Sequence, residues 1–499
     1  MRGWLARLLV AGAMLLAALP AAAHVGSPNV FYDGSAGPYP VRVIVRPPAV
    51  IPGLAEITVK LGDAKAGEVT VQPIQWKAGT KGAPPPDAAA PVPGAPGVWS
   101  AQLWIMQGSS YGVRVRVKGP AGDGEALVPV TAVPTRVLEM KPGMGIVLGA
   151  LGLFLFAGAV TLVASGVREA SLPPGEVADE RRRDRARRAG AMAAIVFALL
   201  LWGGKSWWDS VNAQAREGLF KPFHVTSATR LEGSRPVLSL TIDDERSPQW
   251  SPLMPDHGKL MHLFLIREPG LDAFAHLHPI PAGTGRFEAS LPPLAAGTYR
   301  LYADVVHESG FPQTLVDTVT VPPAPAGGAG GPAPDPDDSW RASGPLAAKA
   351  ASGPQIISPL EGGGTMIWHE EPLVANREAN LRFEVRNAAG NPLPLEPYMG
   401  MVSHAVITRD DGQVFVHLHP MGTISMAAQE AFEKKAEMVM PAMAGMDHSA
   451  HGAPGALSFP YEFPRPGRYR IWVQVKSGGQ VRTGVFDAEV GEERGRPAA

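Results

Sequence analysis

The stretch HGKLMHLFLIREPGLDAFAHLHP at residues 257–279 shares its frame with MGMVSHAVITRDDGQVFVHLHP at residues 399–420. In both, a histidine opens an apolar run, a polar turn follows, and a second apolar run ends in His-Leu-His-Pro. A Gly-x-Tyr-Arg sequence follows later in each copy, at residues 297–300 and 467–470. A shared frame of this length indicates an internal repeat of one structural unit.

Each copy is predicted to form a β-hairpin that gathers three histidines on one face. Side chains alternate between faces of a strand, so the two histidines of each His-Leu-His-Pro point the same way. A register centred on residue 269 places His262 opposite His276, and a turn at 409–412 places His404 opposite His417. Opposed Cβ atoms lie about 4.5–5.5 Å apart, close enough for two imidazoles to share an ion. The predicted ligands are His262, His276 and His278 in the first copy and His404, His417 and His419 in the second.

The segments around the repeats are also typical of strands. Gly 57 and Pro 51 together occur at about 1.8 times their average usage, which favours short strands and long connections. The fold class is therefore mainly β, with three Ig-like or cupredoxin-like β-sandwich domains and two transmembrane helices. The sandwiches are placed at residues 24–138, 222–322 and 355–491, and a Pro/Gly-rich linker at 323–354 joins the last two.

The membrane topology follows from three apolar segments. Residues 1–23 have a basic start, an apolar stretch and an Ala-x-Ala cleavage signature, which is typical of a signal peptide. Residues 143–166 and 189–208 are predicted to span a membrane as helices. The arginine-rich loop between them, residues 167–188, is expected in the cytoplasm. This places the protein in a bacterial inner membrane, with its N-terminal and C-terminal domains in the periplasm.

The composition restricts the chemistry. The chain has 499 residues with no Cys, 13 His and 17 Met. It therefore excludes disulfides, Cys-ligated zinc or iron–sulfur sites, thiolate nucleophiles and blue-copper sites. A net charge of −1 gives no electrostatic reason to expect nucleic acid as a partner.

The second copy of the repeat carries an insertion rich in methionine and histidine. Its neighbouring residues are small or polar and cannot complete an apolar core, so the methionines are interpreted as ligands. Thioether selects copper(I), whereas imidazole accepts copper in either oxidation state or zinc. The predicted cofactor is copper, Cu(I) or Cu(II), with zinc as the alternative. The predicted ligands in the insertion are Met438, Met440, Met443, Met446, His448 and His451.

Further candidate ligands lie outside these patterns. His257 and His307 belong to the first copy but have no histidine counterpart in the second. His24 would become the N-terminal residue after signal cleavage, and Met399 and Met401, at the start of the second copy, flank the insertion in sequence. His224 and His369 follow no pattern and are interpreted as structural.

The motifs HLHP, MDHSAH and FPRPGRYRIWVQV (463–475) resemble those of bacterial periplasmic copper-tolerance and heavy-metal-binding proteins, including the YtkA-like and CopC-like β-sandwich families. The resemblance covers residues 222–322 and 355–491. It implies extracytoplasmic copper binding, storage or transfer rather than enzymatic turnover. The two membrane helices favour a tethered role, with a copper exporter, a copper oxidase or a respiratory assembly protein as the partner.

Two other functions are compatible with the sequence. One is a membrane-tethered scaffold or assembly factor for a respiratory or transport complex, with purely structural histidines. The other is an oxidative copper enzyme that uses His24, although no second histidine occurs between residues 25 and 223.

Overall fold

The computed structural model describes residues 29–492 except 63, 174, 234, 244–251, 324–333, 352 and 437–454. The predicted signal peptide, His24 and the predicted ligands Met438, Met440, Met443, Met446, His448 and His451 lie outside the described residues. The chain is mainly β and contains two long apolar helices, as predicted. Residues 133–220 form one compact unit, and the rest of the described chain forms the other.

The N-terminal block consists of two antiparallel sheets around one apolar core. One sheet has the order β1 (Val30–Ala36), β2 (Tyr39–Arg46), β3 (Gly53–Lys60), β7 (Val98–Ile105) and β6 (Ala90–Pro91). The other has the order β5 (Asp87–Ala88), β4 (Glu68–Gln75), β8 (Ser109–Gly119) and β9 (Gly122–Ala132). A short 3₁₀ helix covers Thr80–Gly82. Alternating buried and exposed residues, as in β3, place one face of each sheet in the core.

The first copy of the repeat lies in a second pair of sheets with its own core. One sheet has the order β10 (Val225–Glu232), β11 (Arg235–Ile242), β16 (Arg286–Ser290) and β15 (Ile280–Gly283). The other has the order β12 (Leu253–Met254), β17 (Gly297–His307), β13 (His262–Arg267), β14 (Ala273–Leu277) and β19 (Ser339–Ala342), and β18 (Pro312–Val321) pairs with β17. Strand β19 comes from the segment predicted to be a linker.

The second copy lies in a third pair of sheets that share a core. One sheet has the order β20 (Ile356–Pro359), β21 (Thr365–His369), β23 (Glu378–Arg386) and β26 (Ala456–Glu462). The other has the order β22 (Leu373–Val374), β28 (Gln480–Gly491), β27 (Gly467–Ser477), β24 (His404–Arg409) and β25 (Phe415–Leu418). The order β27-β24-β25 repeats the order β17-β13-β14 of the first copy.

Two helices, α1 (Pro142–Glu169) and α2 (Glu180–Glu217), form the separate unit. Both are long and apolar enough to cross a membrane. Helix α2 begins earlier than predicted, so the arginines at 181–188 are helical rather than in a loop. The side chain of Asp179 caps this start by accepting a hydrogen bond from the Arg182 N–H (2.8 Å).

The insertion begins with a helix that the sequence reasoning missed, α3 (Met426–Lys435). The Ser425 hydroxyl caps it by accepting from the Ala428 N–H (2.9 Å). Phe432 of α3 is buried and meets the Trp76 ring edge to face at 5.2 Å. The helix therefore anchors the start of the insertion to the N-terminal block.

Both predicted hairpins form, but their registers differ from the prediction by two residues. Phe264 pairs with His276, and Val406 pairs with His417. The prediction that His262 faces His276 and His404 faces His417 is therefore wrong in register. The second turn consists of four residues. In this turn Gly412 adopts a φ of +66°, and the Asp411 carboxylate accepts a hydrogen bond from the Gln413 N–H. A shift of two residues keeps every side chain on its predicted face.

Candidate metal centre

The two copies of the repeat pack face to face through reciprocal aromatic contacts. Tyr302 on β17 stacks on Phe415 of the second copy, with ring centroids 3.9 Å apart. Trp472, the corresponding residue on β27, stacks on Phe274 of the first copy at 4.9 Å. These residues share one buried apolar cluster. Each copy therefore covers the hairpin of the other.

Polar contacts at this interface are reciprocal as well. The Arg300 guanidinium donates to the Asp411 carbonyl oxygen (2.9 Å), and the Arg470 guanidinium donates to the Leu271 carbonyl oxygen (2.9 Å). Both acceptors lie in the hairpin turn of the opposite copy. The pairs of equivalent contacts define an approximate two-fold relation between the copies.

Beyond the aromatic contacts, the histidine faces of the two copies meet. We call the resulting group the histidine chamber, and its members are His257, His262, His276, His278, His404, His417 and His419. Ring centroids of different copies lie 5.4 Å apart for His262 and His417, and 4.9 Å apart for His257 and His419. The six histidines predicted from the hairpins thus lie in one chamber together with His257.

Within each copy the rings are arranged almost identically. The His262 and His276 centroids are 5.4 Å apart, and the equivalent His404 and His417 centroids are 5.3 Å apart. The two histidines of each His-Leu-His-Pro are 4.7 Å apart in both copies. The duplicated sequence therefore produces a duplicated geometry.

The chamber is buried. The side chains of His257 and His417 are 1% and 7% exposed, and the other five histidines are at most 5% exposed. Burial lowers the pKa of His257 and His419 to about 4. Burial, reinforced by the neighbouring imidazoles, lowers the pKa well below the ordinary value at four others: His262, His276, His404 and His417. These six imidazoles are therefore neutral at pH 7, the form that binds metal.

Acceptors around the chamber fix which ring nitrogens carry hydrogen. His276 Nδ1–H donates to Gln474 Oε1 (2.9 Å), and His262 Nε2–H donates to the Asp256 carbonyl oxygen (3.1 Å). The remaining nitrogens, His262 Nδ1 and His276 Nε2, face each other at 3.2 Å. Both carry lone pairs, so this contact is not a hydrogen bond between neutral rings. A cation between them would turn the repulsion into coordination.

A second contact of this kind lies in the chamber. His419 Nδ1–H donates to the Ile424 carbonyl oxygen (3.0 Å), and His257 is hydrogen-bonded to the backbone of Met399. The Nε2 atoms of His257 and His419 face each other at 3.2 Å. Two separate places in the chamber therefore bring two imidazole nitrogens together.

Other chamber nitrogens have no hydrogen-bond partner among the described residues. They are His278 Nε2, His417 Nε2 and both ring nitrogens of His404. A buried polar atom without a partner costs roughly 1–3 kcal/mol, so a group of them requires an explanation. Metal coordination supplies one, and neutral imidazole nitrogens in this arrangement fit copper or zinc.

Carboxylates that the sequence reasoning missed surround the chamber. Asp338 accepts from His278 Nδ1–H (3.0 Å), and an Asp304 carboxylate oxygen lies 3.6 Å from His417 Nδ1. Burial raises the pKa of Asp304 to about 7 and also raises the pKa of Asp256. The cluster Asp-Pro-Asp-Asp at 335–338 in the predicted linker was the available signal for Asp338. Such carboxylates orient imidazole ligands and increase their basicity.

Of the other residues singled out in the sequence, His307, Met401 and His369 lie outside the chamber, and Met399 lies beside it. The His307 ring is buried against Phe223 at 5.7 Å. Met401 packs in the apolar core of the N-terminal block. His369 lies on β21, with its Nε2 3.7 Å from a Glu384 carboxylate oxygen. Met399 is buried beside the chamber, where its backbone meets His257.

Comparison with known proteins gives a match to one family model over part of the chain. A family model described as a domain of unknown function (DUF8832) matches residues 223–322 and 360–492, the two blocks that contain the repeat. The chain is similar to this family over those residues. No curated protein matches the chain.

Solved structures resemble the chain only weakly. A tetra-tandem repeat of a large adhesion protein is 9% identical, with 88% of this chain and 71% of that chain covered and a TM-score of 0.15. Latent PorU from Porphyromonas gingivalis is 8% identical, with 93% and 34% covered and a TM-score of 0.15. A chimeric titin tandem is 12% identical, with 55% and 100% covered and a TM-score of 0.13. At these TM-scores the likenesses carry no argument about function.

Proposed function

We propose that the protein is a membrane-anchored periplasmic copper-binding protein that sequesters copper or transfers it to a partner. Copper binds in the histidine chamber between the two copies of the repeat. The observation that carries this proposal is the pair of nitrogen–nitrogen contacts at 3.2 Å, in which fixed outer hydrogen bonds direct lone pairs at each other.

The donor atoms and the burial of the chamber together favour copper(I) over zinc. The chamber offers neutral imidazoles, and the Asp338 carboxylate accepts a hydrogen bond from the ring N–H of His278. The cost of burying an ion grows with the square of its charge, so a monovalent ion costs roughly a quarter as much as a divalent one. Copper(I) is the monovalent ion that imidazole and thioether bind well. The methionines predicted as ligands in the insertion agree with this choice.

The fold and the anchor complete the proposal. The three pairs of sheets are interpreted as Ig-like or cupredoxin-like sandwiches. Helices α1 and α2 span the inner membrane, with the arginines at the start of α2 on the cytoplasmic side. The block of strands before α1 and the two blocks after α2 then lie in the periplasm. The chamber binds and releases an ion rather than turning over a substrate.

Copper analysis of the detergent-solubilised full-length protein tests the proposal. The chain is loaded with Cu(I) under anaerobic conditions, dialysed against a Cu(I) chelator and analysed for copper by mass spectrometry. To isolate the chamber, the insertion ligands are replaced throughout by the substitutions Met438→Leu, Met440→Leu, Met443→Leu, Met446→Leu, His448→Ala and His451→Ala. We expect tightly bound copper in this background.

Two variants connect the copper to the chamber. A double variant, His262→Ala with His404→Ala, removes one ligand from each copy and should abolish tight binding. His369→Ala is the matched control, since this histidine lies outside the chamber. Equal copper in the double variant and the control would refute the proposal. If the chain that carries only the insertion substitutions (the parent chain) binds no copper, the result would instead favour a scaffold with structural histidines.

A further inference from the structure

His257 has a structural counterpart in the second copy, although it has no histidine counterpart in sequence. His257 and Gly258 form a tight turn closed by a bridge between Asp256 and Lys259. Met399 and Gly400 form the same kind of turn, closed by a bridge between Tyr398 and Met401. Each turn ends three residues before the histidine that opens its hairpin.

The backbones of the two turns agree closely. The φ angles are +52° for His257 and +51° for Met399, and they are +79° for both following glycines. Each turn residue lies five positions before its hairpin histidine, His262 or His404. Met399 therefore occupies in the second copy the place that His257 occupies in the first.

The two-fold relation assigns neighbours to Met399. His257 reaches across to the other copy, where its ring centroid is 5.3 Å from that of His404 and 4.9 Å from that of His419. The equivalents of His404 and His419 in the first copy are His262 and His278. By this relation we expect the Met399 side chain beside this pair.

Two groups of three histidines with no member in common support two ions. His257, His404 and His419 form one group, and His262, His276 and His278 form the other. Within each group the ligating nitrogens lie within 4.8 Å of one another. Each group also contains one of the two nitrogen–nitrogen contacts at 3.2 Å.

One ion cannot use all the donors in the chamber. A tetrahedral ion takes about four imidazoles, which leaves other buried nitrogens without a partner. The leftover lone pairs would keep the desolvation cost of their burial. A second ion removes this cost.

We propose that the chamber holds two copper ions at unlike sites. Site A consists of His257, His404, His419 and His417, and site B consists of His262, His276, His278 and the Met399 thioether. This inference rests on the proposed function and adds its stoichiometry and donor sets. Site B is the softer of the two and is the one specialised for copper(I).

The carboxylates around the chamber are also divided between the two sites. An Asp256 carboxylate oxygen lies 3.9 Å from His257 Nε2, at site A. Asp338 accepts from His278 Nδ1–H at site B. Each ion therefore has a carboxylate of its own, which reduces the cost of burying two cations near each other.

The stoichiometry is measured in the full-length chain with the six insertion ligands replaced as above. We expect two copper ions per chain. His257→Ala removes a ligand of site A only and should leave one tightly bound ion. A parent ratio of one would overturn the two-ion inference and leave the proposed function standing, whereas a ratio of zero would overturn both.

The Met399 assignment has a spectroscopic test. X-ray absorption of the copper(I)-loaded chain should show copper–sulfur scattering, with about one sulfur for every two copper ions. Met399→Leu should abolish this scattering. It should also weaken copper binding at one site by at least about tenfold, because even the loss of a group that only supports a metal ligand typically weakens binding by this factor. Met401→Leu is the matched control and should change neither. Scattering that is absent from the parent chain, or that survives Met399→Leu, would overturn the assignment.

Discussion

The two copies of the repeat share a frame and a geometry but differ in the residues that surround the ion sites. At the turn, His257 of the first copy corresponds to Met399 of the second. At the strand opposite the first hairpin histidine, Asp304 of the first copy corresponds to Gln474 of the second. Each of these two strand residues serves the opposite copy, because Asp304 lies beside His417 and Gln474 accepts from His276.

The difference shows which parts of a duplicated unit are free to diverge. Histidines and stacking residues keep their positions, since they build the interface and the chamber. The outer acceptors and one turn residue have changed, and these are the groups that tune ligand basicity and softness. Duplication followed by such changes yields two related but unequal sites within one chamber.

The aromatic contacts give the largest expected effect. Trp472→Ala and Tyr302→Ala each remove a buried ring that stacks on the opposite copy. Each should lower the free energy of unfolding by about 3–5 kcal/mol. Denaturant unfolding of the full-length protein measures this loss. Trp340→Ala is the control, because Trp340 is 47% exposed, and an equal loss in the control would contradict the interface.

Arg300 and Arg470 test whether equivalent contacts of the two copies contribute equally to the free energy of unfolding. Arg470 is 4% exposed and pairs with Asp487 (2.7 Å), whereas Arg300 is 25% exposed and pairs with Glu268 (2.7 Å). Arg470→Ala should cost roughly 1.5–3 kcal/mol, the range for hydrogen bonds to charged groups. Arg300→Ala should cost at most about 1 kcal/mol. Equal losses in unfolding experiments would show that burial does not distinguish the copies.

The outer acceptors test the tuning of the sites. Asp304→Asn should weaken copper binding by roughly 10- to 100-fold, because His417 loses its carboxylate neighbour. Gln474→Glu should strengthen binding, since it adds a carboxylate beside His276. Competition with a Cu(I) chelator measures both affinities. Asp317→Asn is the control, because Asp317 bonds to Ser227 away from the chamber. An unchanged affinity in Asp304→Asn would contradict this role.

The smallest expected effect concerns the contact between the second copy's block and the N-terminal block. Glu378 accepts from Arg42 (2.9 Å) and pairs with Lys60. Glu378→Gln should lower the free energy of unfolding by up to about 1 kcal/mol, because these pairs are partly exposed. Copper binding should not change. A loss of copper would show that the N-terminal block supports the chamber.

The histidine faces were predictable from the sequence because a strand has a period of two. That period survives an error of two residues in register, so His262 and His276 share a face in either register. The predicted ligands of the hairpins therefore lie together even though the predicted pairs are wrong. The mainly β fold and the two apolar helices were predictable for similar reasons of pattern.

The joint chamber was not predictable, because it depends on how two distant segments pack. Asp304 and Gln474 are 170 positions apart in the chain. Each lies beside a histidine of the opposite copy because the two copies pack face to face. The equivalence of His257 and Met399 was missed because it lies in backbone conformation rather than in residue type. Asp338 was missed because the segment around it was interpreted as a linker, whereas it contains strand β19.

Copper-edge anomalous diffraction from crystals of the copper-loaded full-length protein tests the central claim most directly. We predict anomalous density between the two copies of the repeat, within coordination distance of His262 and His276 and of His257 and His419. Density confined to other parts of the chain, with the chamber free of copper, would contradict the account.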